Sequence, residues 1–182
     1  MSSIEHLITV ADLEKYPDDG NRYELIEGEL YVSTAPGIPH QLVLQNLQVA
    51  FVTFLRQNPI GRLVPGAGVV FSNFDAVIPD LVFVTNERWS QIVANNRFNA
   101  APDIVIEVLS PGSENRRRDL IAKRRLYQNY GVQEYWIVDQ ENQSVLVLRF
   151  TKADEVTFNS SDTLRSDVLP GFEITVDSLF KY

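Results

Sequence analysis

Residues 104–109, Ile-Val-Ile-Glu-Val-Leu, constrain this chain more than any other stretch. Ile104, Val105, Ile106, Val108 and Leu109 place apolar groups on both faces of an extended strand. That pattern belongs to a sheet covered on both sides, since a sheet with one wet face alternates apolar and polar residues. Glu107 interrupts the pattern. A carboxylate inside such a strand is costly unless it is paired, protonated or bound to a metal. Three readings stand at this point: a buried ion pair, a strand end that reaches water, or a chemical site.

The segment after the strand narrows the choice. Residues 116–125 carry Arg116, Arg117, Arg118, Lys123, Arg124 and Arg125 against the single acid Asp119. This stretch is therefore +5 in a chain of net charge −8, and the remainder is −13. An acidic body with one basic stripe does not coat polyanions, but it binds them locally and in a salt-dependent way. The alternative is a solvated helix face. At about 100° per residue, Lys123 falls at the centre of an apolar stripe made by Leu120, Leu126, Tyr127 and Tyr130, and Arg118 and Arg125 point nearly the opposite way. Lys123 then either neutralises Glu107, pairs with Asp119 at i,i+4, or stands beside a reacting group.

Asp80 is the third member. "VIPDLVFVT" puts it at the start of another strand. If the two strands are neighbours, Asp80 and Glu107 converge on one divalent cation. Paired carboxylates with a lysine suit metal-assisted phosphodiester hydrolysis: the carboxylates hold Mg²⁺ or Mn²⁺, and the lysine orients water or stabilises charge at phosphorus. Asp103 lies four residues before Glu107, roughly 13 Å away at about 3.3 Å per residue. It reads as a strand-entry residue.

Composition excludes several other chemistries. There is no cysteine, so disulfides, thiolate metal sites and cysteine nucleophiles are absent. Two histidines, His6 and His40, make a histidine-built zinc centre improbable. No P-loop, H-E-x-x-H, G-x-S-x-G or dinucleotide fingerprint occurs. There is no secretory signal pattern and no membrane-length apolar run, so a cytoplasmic, membrane-free protein is expected.

The remaining pattern indicates one domain over 1–182, with 1–21 as a helical or flexible N-terminal extension. "RYELIEGELYVS" reads as strand turning near Gly28, and residues 40–58 have helical apolar spacing ended by Pro59 and Gly61. "GRLVPGAGVVF" and "AVIPDLVFVT" read as strands, and "NERWSQIVANNRF" as a short helix and loop. Ser113 caps a helix over about 114–130, with Gly131 at its C-terminus. A hairpin turns at 140–143. The expected class is α/β, an α+β arrangement with a mixed sheet flanked by helices.

The order Pro79-Asp80 then Glu107 resembles the PD-(D/E)XK nuclease superfamily. "YELIEGELYVS", "PH" opening a helix, "VIPDLVFV", the block 102–139 and "LPGFEITVDSLF" together resemble the Uma-two family of proposed restriction endonucleases, from about residue 22 to the C-terminus. The resemblance implies a restriction-endonuclease-like core, a divalent metal and DNA as substrate. It makes Asp80 and Glu107 the metal carboxylates. The superfamily lysine, two residues after the strand glutamate, is replaced here by Leu109, and Lys123 is the natural substitute.

Glu24 is an auxiliary acid candidate or an exposed strand residue. His40 contacts phosphate or metal, or caps a helix. Tyr127 bonds substrate or the lysine, or packs in the core, and Tyr135 and Trp136 pack the sheet. Arg116, Arg117, Arg124 and Arg125 are candidates for phosphate contact. Two rivals to a nuclease are an inactive relative that binds nucleic acid or protein, and a subunit-contact protein whose buried charges serve specificity. Cutting both strands of a duplex needs two sites, which makes a homodimer an expectation to test.

Overall fold

The computed structural model describes residues 7–110 and 116–182. A single helical turn, α1 (Val10–Leu13), leads into the hairpin β1 (Arg22–Ile26) and β2 (Glu29–Ser33). Glu27 and Gly28 both have positive φ, the two-residue turn whose twist matches a hairpin. The long helix α2 (Ile38–Gln57) comes next, then β3 (Gly61–Pro65), β4 (Val69–Ser72), β5 (Asp75–Val77) and β6 (Leu81–Thr85). Helix α3 (Asn86–Ile92) leads to the two-residue strands β7 (Val93–Ala94) and β8 (Arg97–Phe98), where the sequence suggested only loop. Asn95 and Asn96, both at positive φ, make their turn.

The apolar run forms β9 (Ile104–Val108). A π-helical turn, Arg118–Lys123, passes into α4 (Arg124–Tyr130), and Gly131 closes it in the left-handed conformation as its position predicts. The predicted Ser113 cap lies outside the described residues. β10 (Glu134–Asp139), β11 (Ser144–Arg149), β12 (Asp154–Phe158), β13 (Thr163–Arg165) and β14 (Glu173–Thr175) complete the strands, with a 3₁₀ turn at Val176–Leu179.

These strands build two mixed six-stranded sheets, β2-β1-β5-β4-β8-β7 and β12-β11-β10-β9-β6-β3, and the pair β13-β14. The α/β class is as expected, but one sheet was anticipated where there are two. The division falls inside "GRLVPGAGVVF". After Pro65, Gly66 adopts a positive φ, and the chain leaves one sheet for the other.

β9 lies at the centre of this arrangement. It pairs antiparallel with β6 and parallel with β10, and the π turn and α4 form part of the parallel crossover. Ile104, Ile106 and Val108 pack with Val43, Leu44, Leu47 and Phe51 of α2, beside Trp136. Val105 and Leu109 pack on the other face with Leu126, Tyr127 and Tyr135. Both faces are covered, as the unalternating sequence requires. Glu107 shares the second face.

Candidate active site

In the β6–β9 pair, Leu81 faces Ile106 and Val82 faces Val105. Asp80, one residue earlier, therefore comes opposite Glu107 and on the same face. Asp80 Oδ2 accepts the Val108 N–H at 2.9 Å, and Oδ1 accepts from Arg22 Nη1 at 3.1 Å. His40 Nε2 lies 3.0 Å from Oδ2. Burial alone would raise the Asp80 carboxyl, but His40 and the Val108 amide outweigh it and hold the group below its ordinary range. An ionised carboxylate only accepts hydrogen bonds, so His40 Nε2 carries the proton.

Glu107 is 4% exposed. Burying one aliphatic side chain contributes about 1.5–3 kcal/mol, whereas an unpaired buried ion costs several. Glu107 is held by two donors on Oε1: Lys123 Nζ at 2.7 Å and Tyr127 Oη at 2.9 Å. Lys123 also lies 3.0 Å from Glu24 Oε1 and 3.9 Å from Asp119 Oδ1. Glu24 is itself buried and accepts the Ile78 N–H at 2.8 Å. It is thus an interior acid. Lys123 joins the two large sheets, because Glu24 stands on β1 and Glu107 on β9.

Burial pushes the Glu107 carboxyl up, Lys123 pulls it down, and Asp80, Asp119 and Glu24 push it up again, leaving it at about 8. Burial lowers the Lys123 ammonium, but Glu107, Glu24 and Asp119 more than reverse this and raise it. Lys123 remains charged and is a poor base.

The π turn explains how Lys123 arrives there. A π turn closes i→i+5, so residues five apart fall on one side. Arg118 and Lys123 are such a pair. The α-helical projection placed Arg118 opposite Lys123, and this expectation is overturned: the Arg118 side chain is only 10% exposed. Its Nε donates to Asp119 Oδ1 at 2.9 Å, and Nη1 lies 3.8 Å from Glu24 Oε2. Tyr127 is fully buried, T-stacked on Tyr135 at 4.8 Å, and its hydroxyl is committed to Glu107. It positions the glutamate. Arg118, Asp119 and Lys123 line a cleft of about 350 Å³ with Arg22, Glu24, His40, Asp80 and Glu107, and Tyr127 lies behind it.

The four arginines suggested for phosphate contact lie outside the acidic cluster. Arg116 pairs with Asp139 at 2.8 Å, Arg124 with Glu155 at 2.7 Å, and Arg125 with Glu27. Arg117 is exposed. Asp103, read as a strand-entry residue, is fully buried and bound by Arg88 Nη1 at 2.6 Å, Gln133 Nε2 at 2.5 Å and the Thr85 N–H at 2.8 Å. Trp136 packs against Phe51 and Phe172.

The model of a protein family described as "Putative restriction endonuclease", Uma2, matches residues 10–177, nearly the whole chain. The chain belongs to the Uma2 family. The match spans the carboxylates, the lysine and every other residue that lines the cleft. A solved structure of a "putative nuclease belonging to DUF820" from Anabaena variabilis ATCC 29413 is 22% identical in sequence. It superposes with a TM-score of 0.77 over 95% of this chain and 97% of that one. Identity that low speaks for the fold. No curated protein matches.

Restriction-endonuclease chemistry implies a divalent metal, and the donor set of this Uma2 chain fits a hard cation. Among the described residues no three acid or imidazole groups form a ready-made cage. The carboxylates are interleaved with the chain's own cations. Glu24, Asp80, Glu107 and Asp119 nevertheless outnumber the permanent cations Arg22, Arg118 and Lys123. Burial, with Asp80, Asp119 and Glu24 around it, raises Glu107 to about 8 against the pull of Lys123, and a bound cation would favour its ionised form. All-oxygen donors of this kind suit magnesium or manganese.

Sequence reasoning missed Arg22, Arg118 and Asp119 as site residues. Arg22 had a signal, because it shares strand parity with Glu24. Asp119 had one in its i,i+4 spacing to Lys123. Arg118 had none, since hydrophobic periodicity does not reveal a π turn. No helix among the described residues is long and apolar enough to cross a membrane.

Proposed function

We propose that this protein is a divalent-metal-dependent endonuclease that hydrolyses phosphodiester bonds of DNA. The observation that carries the reading is the convergence of Asp80, Glu107 and Lys123, from two antiparallel strands and a helix, on one cleft. Asp80 and Glu107 would hold Mg²⁺ or Mn²⁺, with Glu24 as the auxiliary acid. When bound, the ion supplies a Lewis acid at the scissile phosphate and an activated water.

The chain's own groups have distinct parts. Asp80 stays ionised against its burial through His40, the Val108 amide and Lys123, and Arg22 holds its other oxygen. Tyr127 fixes the Glu107 carboxyl. Lys123, kept charged by Glu107 and Glu24, stabilises negative charge that develops at phosphorus. His40 orients Asp80 from the start of α2. The exposed ion pairs of Arg124 and Arg125 are each worth about 0.2–1 kcal/mol, so these side chains exchange a carboxylate for a DNA phosphate at little cost, whereas the half-buried Arg116–Asp139 pair exchanges less readily. Cleavage of both strands of a duplex would require two copies.

The test is a titration of Mg²⁺ and Mn²⁺ into wild type and Asp80→Asn/Glu107→Gln, following thermal stability together with cleavage of plasmid and of single-stranded DNA. Wild type is expected to gain about 2.7 kcal/mol at a hundredfold excess over the dissociation constant, and to cut. The double variant should do neither. A wild type with neither metal-linked stabilisation nor cleavage overturns the reading in favour of an inactive binding module.

A further inference from the structure

A second groove, of about 710 Å³, lies between the outer strand β2 and the π turn. It is continuous with the carboxylate cleft, since Val32 and Arg118 line both. Arg117 and Arg125 border it, and Tyr31 lies within it. β2 is the end strand of its sheet and pairs only with β1 among the described residues. In that pair Tyr31 faces Glu24, so the Tyr31 side chain stands on the same face as the auxiliary acid. Val32 and Ile121 flank the groove as exposed apolar side chains, at 51% and 60%.

This lining is selective. Arg117, Arg118 and Arg125 meet one lining acid, Glu29, whose Oε2 accepts from the Tyr31 hydroxyl at 3.0 Å. Arg118 is held inward by Asp119 and Glu24, so Arg117 and Arg125 supply the exposed positive charge of this groove. Arg125 contacts Glu27 through an exposed ion pair and can exchange it for a phosphate. An aromatic ring beside guanidinium groups is the arrangement that holds single-stranded nucleic acid, whose bases offer free faces for stacking. Duplex bases are stacked on one another and offer none.

We propose that this groove carries one unpaired polynucleotide strand into the carboxylate cleft. Arg117 and Arg125 take its phosphates, and Tyr31 supports a base next to Glu24. The inference rests on the nuclease reading for the fate of the strand in the cleft, but binding in the groove stands separately from it.

The experiment measures binding of short fluorescent oligonucleotides in EDTA: single-stranded DNA, single-stranded RNA and duplex DNA. Wild type, Arg117→Glu/Arg125→Glu and Tyr31→Leu are compared, with Arg117→Gln/Arg125→Gln as the milder charge variant. Melting temperatures verify folding. Single strands are expected to bind more tightly than duplex. The charge variants should weaken binding tenfold or more. The dependence of log affinity on log salt should flatten by about 1.4 for two lost phosphate contacts. Tyr31→Leu should cost roughly tenfold, the scale of one lost base stack. The tighter of the two single strands identifies the sugar.

Variants that bind like wild type, a duplex bound as tightly as a single strand, or displacement by polyglutamate as effective as by oligonucleotide each overturn the groove. Cleavage in Mg²⁺ and Mn²⁺ is scored separately. A wild type that binds strands through the groove without cutting them supports the groove and sinks the nuclease reading. A wild type that cuts, with groove variants that bind unchanged, sinks the groove alone.

Discussion

The Lys123 ammonium lies 2.7 Å from Glu107 although sixteen residues separate them in the chain. A second carboxylate, Glu24 of the other large sheet, holds the same ammonium at 3.0 Å. Removing Lys123 would leave two buried acids facing each other with no cation between them. Lys123→Met preserves much of the stem volume and removes only the charge. Breaking a buried pair from one side costs about 3–5 kcal/mol, so the urea midpoint of the metal-free variant should fall accordingly. Adding Glu107→Gln should recover part of that loss. A Lys123→Met protein as stable as wild type would show that the pair contributes nothing to the fold.

Glu107 gives a pH signature. Its carboxyl sits at about 8 in the folded protein against an ordinary 4.5. Between those values the native state keeps a proton that the unfolded chain has lost. Stability from this group is therefore full below pH 4.5 and declines as pH rises towards 8. Glu107→Gln cannot lose that proton. Relative to wild type it should match stability at acid pH and gain on the order of a few kcal/mol by pH 9. Urea unfolding at both pH values measures this, and a constant difference would contradict the raised carboxyl.

Much of this site was legible in the sequence, for reasons that differ by residue. Glu107 was conspicuous because an unalternating apolar strand tolerates a carboxylate only with partners. Lys123 was conspicuous because it replaced an apolar residue on an inward stripe. Both arguments rest on local periodicity. The meeting of Glu24 with Lys123 was not legible, because it depends on how two separate sheets pack. Arg118 was misplaced because a six-residue π turn shifts the angular register that an α-helix would give. The two-sheet division was hidden for a related reason: the stretch 61–71 supplies β3 to one sheet and β4 to the other across the short break at Gly66–Gly68, and neighbouring strands in sequence read as one sheet.

Tyr127 supplies the second donor to Glu107 Oε1, at 2.9 Å. Tyr127→Phe deletes that hydroxyl and little else. The lost hydrogen bond should cost about 0.5–3 kcal/mol, the upper part of the range applying to a charged acceptor. It also removes a donor that favours the ionised form, so the Glu107 titration should move further upward. Metal affinity at neutral pH should fall as a consequence, because a protonated carboxyl must first release its proton. Magnesium titrations at pH 7 and pH 9 separate the effects: a deficit that narrows at pH 9 marks Tyr127 as a positioning residue, and one independent of pH marks it as packing alone.

Asp103 provides the contrasting case of a buried acid with a structural task. It is fully buried and takes donors from Arg88, Gln133 and the Thr85 backbone, at the opposite end of β9 from the cleft. Asp103→Ala should leave the Arg88 guanidinium uncompensated and lower stability by about 3–5 kcal/mol. It should leave the melting-temperature increase induced by Mn²⁺ intact, provided the comparison is made well below the lowered midpoint. Asp80→Asn should do the reverse in that assay and abolish the increase. Should Asp103→Ala abolish it while Asp80→Asn retains it, the cation would belong at the entry of β9, and the assignment of the carboxylate pair would have to be redrawn.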